Sequence, residues 1–174
     1  MKKNGLVLLL FTLVLVIVSC KKDNSDLPIE YKFVLLDTLG NEKTVFNEGE
    51  NIIFSFQIIN EGSVDLFLEN FFPNNDFFRV FEPNTNEGTL DYGIPYEAYV
   101  KTGFFNIHAN ENFKFEYPWK GGIFWNDKYP ILSNENINED LPIGNFTTSF
   151  SQSFKFGNNI KTETKHFEIN FTIK

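Results

Sequence analysis

Asn51-Ile52-Ile53-Phe54-Ser55-Phe56-Gln57-Ile58-Ile59-Asn60 decides the fold class. Ile52, Phe54, Phe56 and Ile58 alternate with Ile53, Ser55, Gln57 and Ile59. Successive side chains of a strand point to opposite faces, so this period of two predicts a strand with one face in a core. Its β-branched and aromatic residues suit a pleated, half-buried surface. The same period recurs in Val64, Leu66 and Leu68 against Asp65, Phe67 and Glu69. It recurs in Phe113, Phe115 and Tyr117 against Lys114 and Glu116. The final stretch repeats it, with Phe167, Ile169, Phe171 and Ile173 against His166, Glu168, Asn170 and Thr172. From Glu30 onward no segment has a helical period with caps.

The breaks carry turn chemistry. Glu48-Gly49-Glu50-Asn51 precedes the Ile52 strand, and Asn60-Glu61-Gly62-Ser63 joins it to the Val64 strand at hairpin spacing. Pro73-Asn74-Asn75-Asp76 separates the Leu66 strand from a predicted strand at Phe77–Phe81. Gly121-Gly122 parts Tyr117-Trp119 from Ile123-Phe124-Trp125, and Gly157-Asn158-Asn159 turns the chain toward its last strand. Short strands at regular spacing predict an all-β sandwich or barrel. Two stretches, Glu82–Asn112 and Asn126–Asp140, exceed what such a domain needs and read as insertions. The first carries Tyr92, Tyr96, Tyr99, Phe104 and Phe105, so it is expected to be ordered.

The N-terminus reads differently. Met1-Lys2-Lys3-Asn4 is a short positive head, Leu6–Val18 is apolar apart from Thr12, and Ser19-Cys20 precedes the polar run Lys21–Asp26. A positive head, an apolar run of ~7–15 residues and a small residue at the cut describe a secretory signal peptide. A membrane-spanning helix needs ~20 apolar residues, more than this run offers. Val16-Ile17-Val18-Ser19-Cys20 resembles a lipobox, the site cut in bacterial lipoprotein precursors. Ile17 and Val18 stand where that motif prefers Leu and a small residue. The resemblance implies removal of residues 1–19 and lipid on Cys20, followed by a tether over 20–29 and one domain over 30–174. Cys20 is the sole cysteine, so lipidation also removes an otherwise unpaired thiol in a secreted chain. Lys22-Asp23 partly matches a surface-export signal of Gram-negative lipoproteins. The expected location is therefore the outer membrane, on its periplasmic or its outer side.

Removal of residues 1–19 takes away Lys2 and Lys3 and no acid, leaving 13 basic residues against 23 acidic ones. Such a balance excludes nucleic acid, whose binding rests on Lys and Arg neutralising phosphates. An acidic domain of this kind is expected to stay soluble and monomeric.

No catalytic constellation emerges. His108 and His166 are the only histidines, and neither adjoins a nucleophile-elbow serine. Asn134-Glu135-Asn136-Ile137-Asn138-Glu139-Asp140 spaces oxygen side chains like a calcium loop, but Glu139 replaces the glycine of the sharp turn. No metal or other cofactor is expected. The candidate binding residues are Tyr92, Tyr96 and Tyr99 in the first insertion, with Trp119 and Trp125 flanking the Gly121-Gly122 turn. Aromatic rings with polar tips offer contact area to a glycan or protein, although both tryptophans also suit a sandwich core.

Leu141-Pro142-Ile143-Gly144-Asn145-Phe146, the Phe54–Asn60 strand after its Gly-Glu turn, and Phe113-Phe115-Tyr117-Trp119 together resemble immunoglobulin-like sandwiches of the BsuPI-type proteinase inhibitor class. The likeness spans roughly Phe46–Phe150. It implies an immunoglobulin-like antiparallel sandwich with a long aromatic insert. The expected function is a non-catalytic binding or interaction module for a glycan or an envelope protein, with proteinase inhibition as the alternative.

Overall fold

A computed structural model of the chain describes residues 27–69, 76–85, 88–95, 104–120, 138–157 and 160–174. The signal-peptide reading, Cys20 and most of the tether lie outside these residues. Among the described residues twelve strands run in the order β1 (Ile29–Leu36), β2 (Val45–Phe46), β3 (Ile53–Asn60), β4 (Leu66–Glu69), β5 (Arg79–Thr85), β6 (Gly88–Gly93), β7 (Phe105–Ile107), β8 (Asn112–Pro118), β9 (Gly144–Gln152), β10 (Lys155–Phe156), β11 (Ile160–Lys161) and β12 (Lys165–Ile173). They form three sheets: β1-β3-β8, β2-β12-β9-β5-β6 and β11-β10-β4-β7. The fold is all-β, and the sheets pack on one aromatic core.

Alternation decides which rings enter that core. Phe54, Phe56 and Ile58 of β3 are buried, as are Phe113 and Phe115 of β8 across the register Phe56↔Phe115 and Ile58↔Phe113. The five-stranded sheet answers with Phe146 and Phe150 of β9 and Phe171 of β12. Phe56 has no solvent exposure; its ring lies 5.5 Å from Phe77 and from Phe150, 5.6 Å from Phe154 and 5.1 Å from Phe167. Those centroid spacings fall in the range where aromatic pairs attract beyond simple burial. Tyr31 of β1 stacks on Phe154 at 4.9 Å. Burial pushes its hydroxyl pKa up to about 12, against a smaller opposing effect of the Thr162 side chain.

Four expectations need correction. First, Asn60–Ser63 is not a hairpin. β3 pairs with β1 and β8, whereas β4 belongs to another sheet, beside β10 and β7. The buried Asn60 side chain makes this corner: its amide donates to the carbonyls of Val64 (2.8 Å), Ile107 (3.1 Å) and His108 (3.2 Å), and its oxygen accepts from Gly62 N–H. Those bonds satisfy groups that a sheet-to-sheet crossing would leave bare. Second, Leu27 and Pro28, predicted as the end of the tether, belong to the fold. The Pro28 carbonyl accepts from Glu61 N–H at 2.8 Å, and a side chain at Gly62 would meet Pro28 Cγ at 2.6 Å.

Third, the strand expected at Phe77–Phe81 starts only at Arg79. Phe77 and Phe78 form a turn, with Phe78 at φ 63° and both rings fully buried. A left-handed conformation costs a non-glycine residue about 1–3 kcal/mol. Burying two Phe side chains offsets this. Fourth, Glu82–Asn112 is not one long insertion. Its described residues include strands: β5 and β6 extend the five-stranded sheet, and β7 edges the four-stranded one. Pro83 stands inside β5. It lies beyond Phe81, the last β5 residue paired with β9, where a missing N–H costs little.

Candidate binding face

The four-stranded sheet turns one face to the core and the other to solvent. Register sets which residues share each face: Leu66 lies opposite Ile107, Phe67 opposite Asn106 and Leu68 opposite Phe105. Leu68 and Ile107 are buried, and Phe156 of β10, opposite Leu68, is buried beside them. Phe105 anchors β7 inward, its ring 4.7 Å from Phe113. The alternate positions therefore point outward: Asp65, Phe67 and Glu69 on the β4 side, and Phe104, Asn106 and His108 on the β7 side.

Two phenylalanines are thus held in water. Phe67 is 51% exposed and Phe104 66%. They are diagonal neighbours, a relation that brings cross-strand side chains within reach of a common ligand. Gly157 donates its N–H to the Phe67 carbonyl at 2.7 Å, and a Cβ there would sit 3.1 Å from Phe67 Cβ. Glycine at that point keeps one flank of the ring clear.

A polar cluster borders the rings. His108 Nδ1 donates to Asp65 Oδ2 at 2.8 Å, Ala109 N–H donates to Asp65 Oδ1 at 3.1 Å, and the Asn106 side chain lies 3.5 Å from Asp65 Oδ2. The His108 bond, then the Ala109 bond, hold the Asp65 carboxyl below the usual carboxylate range. On the other side of Phe67, Lys155 pairs with Glu69 at 2.7 Å.

The residues singled out from sequence fare differently. Tyr96, Tyr99 and Trp125 lie outside the described residues. Tyr92 is half-buried, its ring edge-on to Phe146 at 5.3 Å and its hydroxyl 3.4 Å from Glu82 Oε2. Burial, then the Glu82 charge, raise its pKa. Trp119 takes the core alternative: it is 3% exposed, and its indole N–H donates to the Glu139 carbonyl at 2.9 Å. Its ring packs beside Phe54, so it is part of the core and offers no stacking surface. Phe67 and Phe104 were not singled out. The signal for Phe67 was an aromatic on the polar side of an alternation. For Phe104 it was a Phe-Phe pair in an extended segment, where only one ring can face inward.

Other clusters belong to the fold. Asn138 donates to the carbonyls of Ile94 and Trp119, and Asp140 pairs with Lys120, which accounts for the described end of the calcium-like run. Asn134–Ile137 lie outside the described residues. Among the described residues no group of three or more His, Cys, Asp or Glu is placed to hold a metal ion. Ser151 Oγ lies 3.1 Å from His166 Nδ1, and His166 Nε2 lies 3.4 Å from Glu168. This trio has the contact order of a nucleophile, base and acid. It sits on outward positions of β9 and β12 with the imidazole 59% exposed, in water that weakens the electrostatics such chemistry needs.

Fold and face together define an all-β protein with an aromatic surface pair. No protein-family model and no curated protein matches the chain. Among solved structures, a PapD-like (ASH) domain of human CEP192 is similar at 10% identity and TM-score 0.41, with 85% of this chain and 86% of that one covered. A Northeast Structural Genomics Consortium target is similar at 15% identity and TM-score 0.34, covering 83% and 87%. A β-glucosidase from Listeria innocua in complex with gluconolactone is similar at 10% identity and TM-score 0.31, covering 83% of this chain and 16% of that one. At these scores the likenesses carry no argument about function.

Proposed function

We propose that the chain is a lipid-anchored cell-envelope protein whose immunoglobulin-like sandwich is a non-catalytic interaction module. Its partner is a glycan or an envelope protein, met through the outer face of β4 and β7. The observation that carries this reading is the pair Phe67 and Phe104, exposed on the side of the sheet opposite the buried Leu68 and Ile107. Exposed apolar groups rimmed by polar ones mark interaction sites. The Cys20 motif supports the anchor, since several acyl chains hold a protein on a membrane more firmly than one.

Two experiments test it. A photo-crosslinking phenylalanine at position 67 or 104, introduced in the producing cells, is expected to form adducts that the same probe at exposed Leu39 does not form. Equal adducts at all three positions would remove the face from the proposal. Cys20→Ala is expected to abolish labelling with radioactive palmitate and release the chain from membranes. A mutant that still labels would remove the anchor.

A further inference from the structure

The β4–β7 face differs from an ordinary protein-docking patch. A protein interface has a continuous apolar centre depleted of charge, with its polar groups at the rim. Here the two rings are interleaved with polar side chains: Asn106 stands directly opposite Phe67, and the Asp65–His108 pair lies one step further along. We infer that this face binds an uncharged glycan chain, an inference that rests on the reading of the face as the contact surface.

Three features support that chemistry. A sugar ring carries apolar C–H patches on its faces and hydroxyls around its edge. It therefore needs aromatic faces and hydrogen-bonding side chains side by side. Phe67 and Phe104 provide the first. Asn106 and His108 provide the second, and they are fixed in advance: Ala109 N–H holds Asp65, and Asp65 holds His108 Nδ1. Among the described residues His108 Nε2 has no partner and is left to meet a hydroxyl. Such preorganisation lowers the cost of ordering side chains on binding.

Charge selects the class of glycan. Asp65 is paired with His108, and Glu69 with Lys155. Among the described residues the face thus has no uncompensated cation beside its rings; Lys161 lies across from Lys155, at the far edge of the sheet. The chain as a whole carries −8. Uronates and sulfated or phosphorylated polymers would meet repulsion without a counter-ion, whereas a neutral polymer needs none.

The test is calorimetric titration of the full chain, purified in detergent micelles, with cellohexaose, maltohexaose and N-acetylchitohexaose, and with hexagalacturonate as the anionic comparison. Saturable binding of at least one neutral oligomer is expected, insensitive to added salt and weakened about tenfold or more in Phe67→Thr and in Phe104→Thr. Both variants keep a β-favouring residue at an exposed site, and an unchanged thermal unfolding curve shows that they fold. The inference is overturned if none of the neutral oligomers binds, if both variants bind as the parent does, or if hexagalacturonate binds more tightly. The crosslinking experiment separates the two levels. Adducts to a protein at positions 67 and 104 without oligosaccharide binding would end the glycan inference and leave the contact face standing. Neither adducts nor binding would end both.

Discussion

Phe56 and Phe67 occupy strands with the same alternation, yet one is sealed in a cage of rings and the other stands half in water. The residue is the same, but Phe56 belongs to the apolar set of its alternation and Phe67 to the polar set. β3 is the central strand of its sheet, and its Phe side faces the five-stranded sheet across the core. β4 has only one face in that core, taken by Leu66 and Leu68, so Phe67 has nowhere to go but outward. The comparison separates rings that hold the fold from rings that the fold displays. Only the displayed ones are free to meet a partner.

The largest effect is expected at the caged ring. Phe56→Ala should destabilise the protein by about 3–5 kcal/mol, measured by denaturant unfolding, because it opens a cavity among rings that cannot all collapse into it. A loss below about 1 kcal/mol would show that the aromatic cage does not hold the sheets together.

Next comes the corner that carries the chain from one sheet to the other. Asn60→Ala removes donors to three carbonyls and should cost about 1–3 kcal/mol. Since one of those carbonyls is that of His108, the same variant should disturb the binding face, visible as shifted His108 resonances. A smaller loss, about 1 kcal/mol, is expected for Gly62→Ala, where the new methyl meets Pro28. Unchanged stability there would mean that Pro28 moves aside freely and that the fold does not extend back to Leu27.

Tyr31 gives a pH signature of the core side. Its phenol is harder to ionise in the fold, near 12, than the ordinary value of 10.0. The neutral form is favoured on folding, so its contribution is complete below about pH 10 and is lost as pH rises toward about 12. The denaturation midpoint should fall through that window, and Tyr31→Phe should flatten the fall. Ultraviolet titration should show a tyrosine ionising near pH 12 that the variant lacks.

Much of this was legible in sequence because alternation is a local property. The buried faces of β3, β8 and β12 follow from it directly. Partner choice is not local: nothing in Asn60–Ser63 distinguishes a hairpin from a crossing until the acceptors at Ile107 and His108, nearly fifty residues away, are in place. Phe77 and Phe78 misled for a related reason. Consecutive rings read as strand, whereas a left-handed Phe78 lets both enter the core. Trp119 drew notice for its place beside Gly121-Gly122, with core packing as the other reading; its buried indole, bonded to the Glu139 carbonyl, takes the core reading. The binding face was half legible. Phe67 breaks the polar side of its own strand, but only the β4–β7 register brings Phe104, Asn106 and His108 beside it.

The smallest stability effect should accompany the largest functional one. Phe67→Thr with Phe104→Thr should shift the unfolding free energy by no more than about 0.5 kcal/mol per site, since both rings are exposed. The account's central claim, that these two rings are displayed for a partner, is tested most directly by carbene footprinting of the unsubstituted chain. Phe67 and Phe104 are predicted to label strongly in the purified protein and to be protected in intact envelopes of the producing cells. Equal labelling of both rings in the two settings would contradict it.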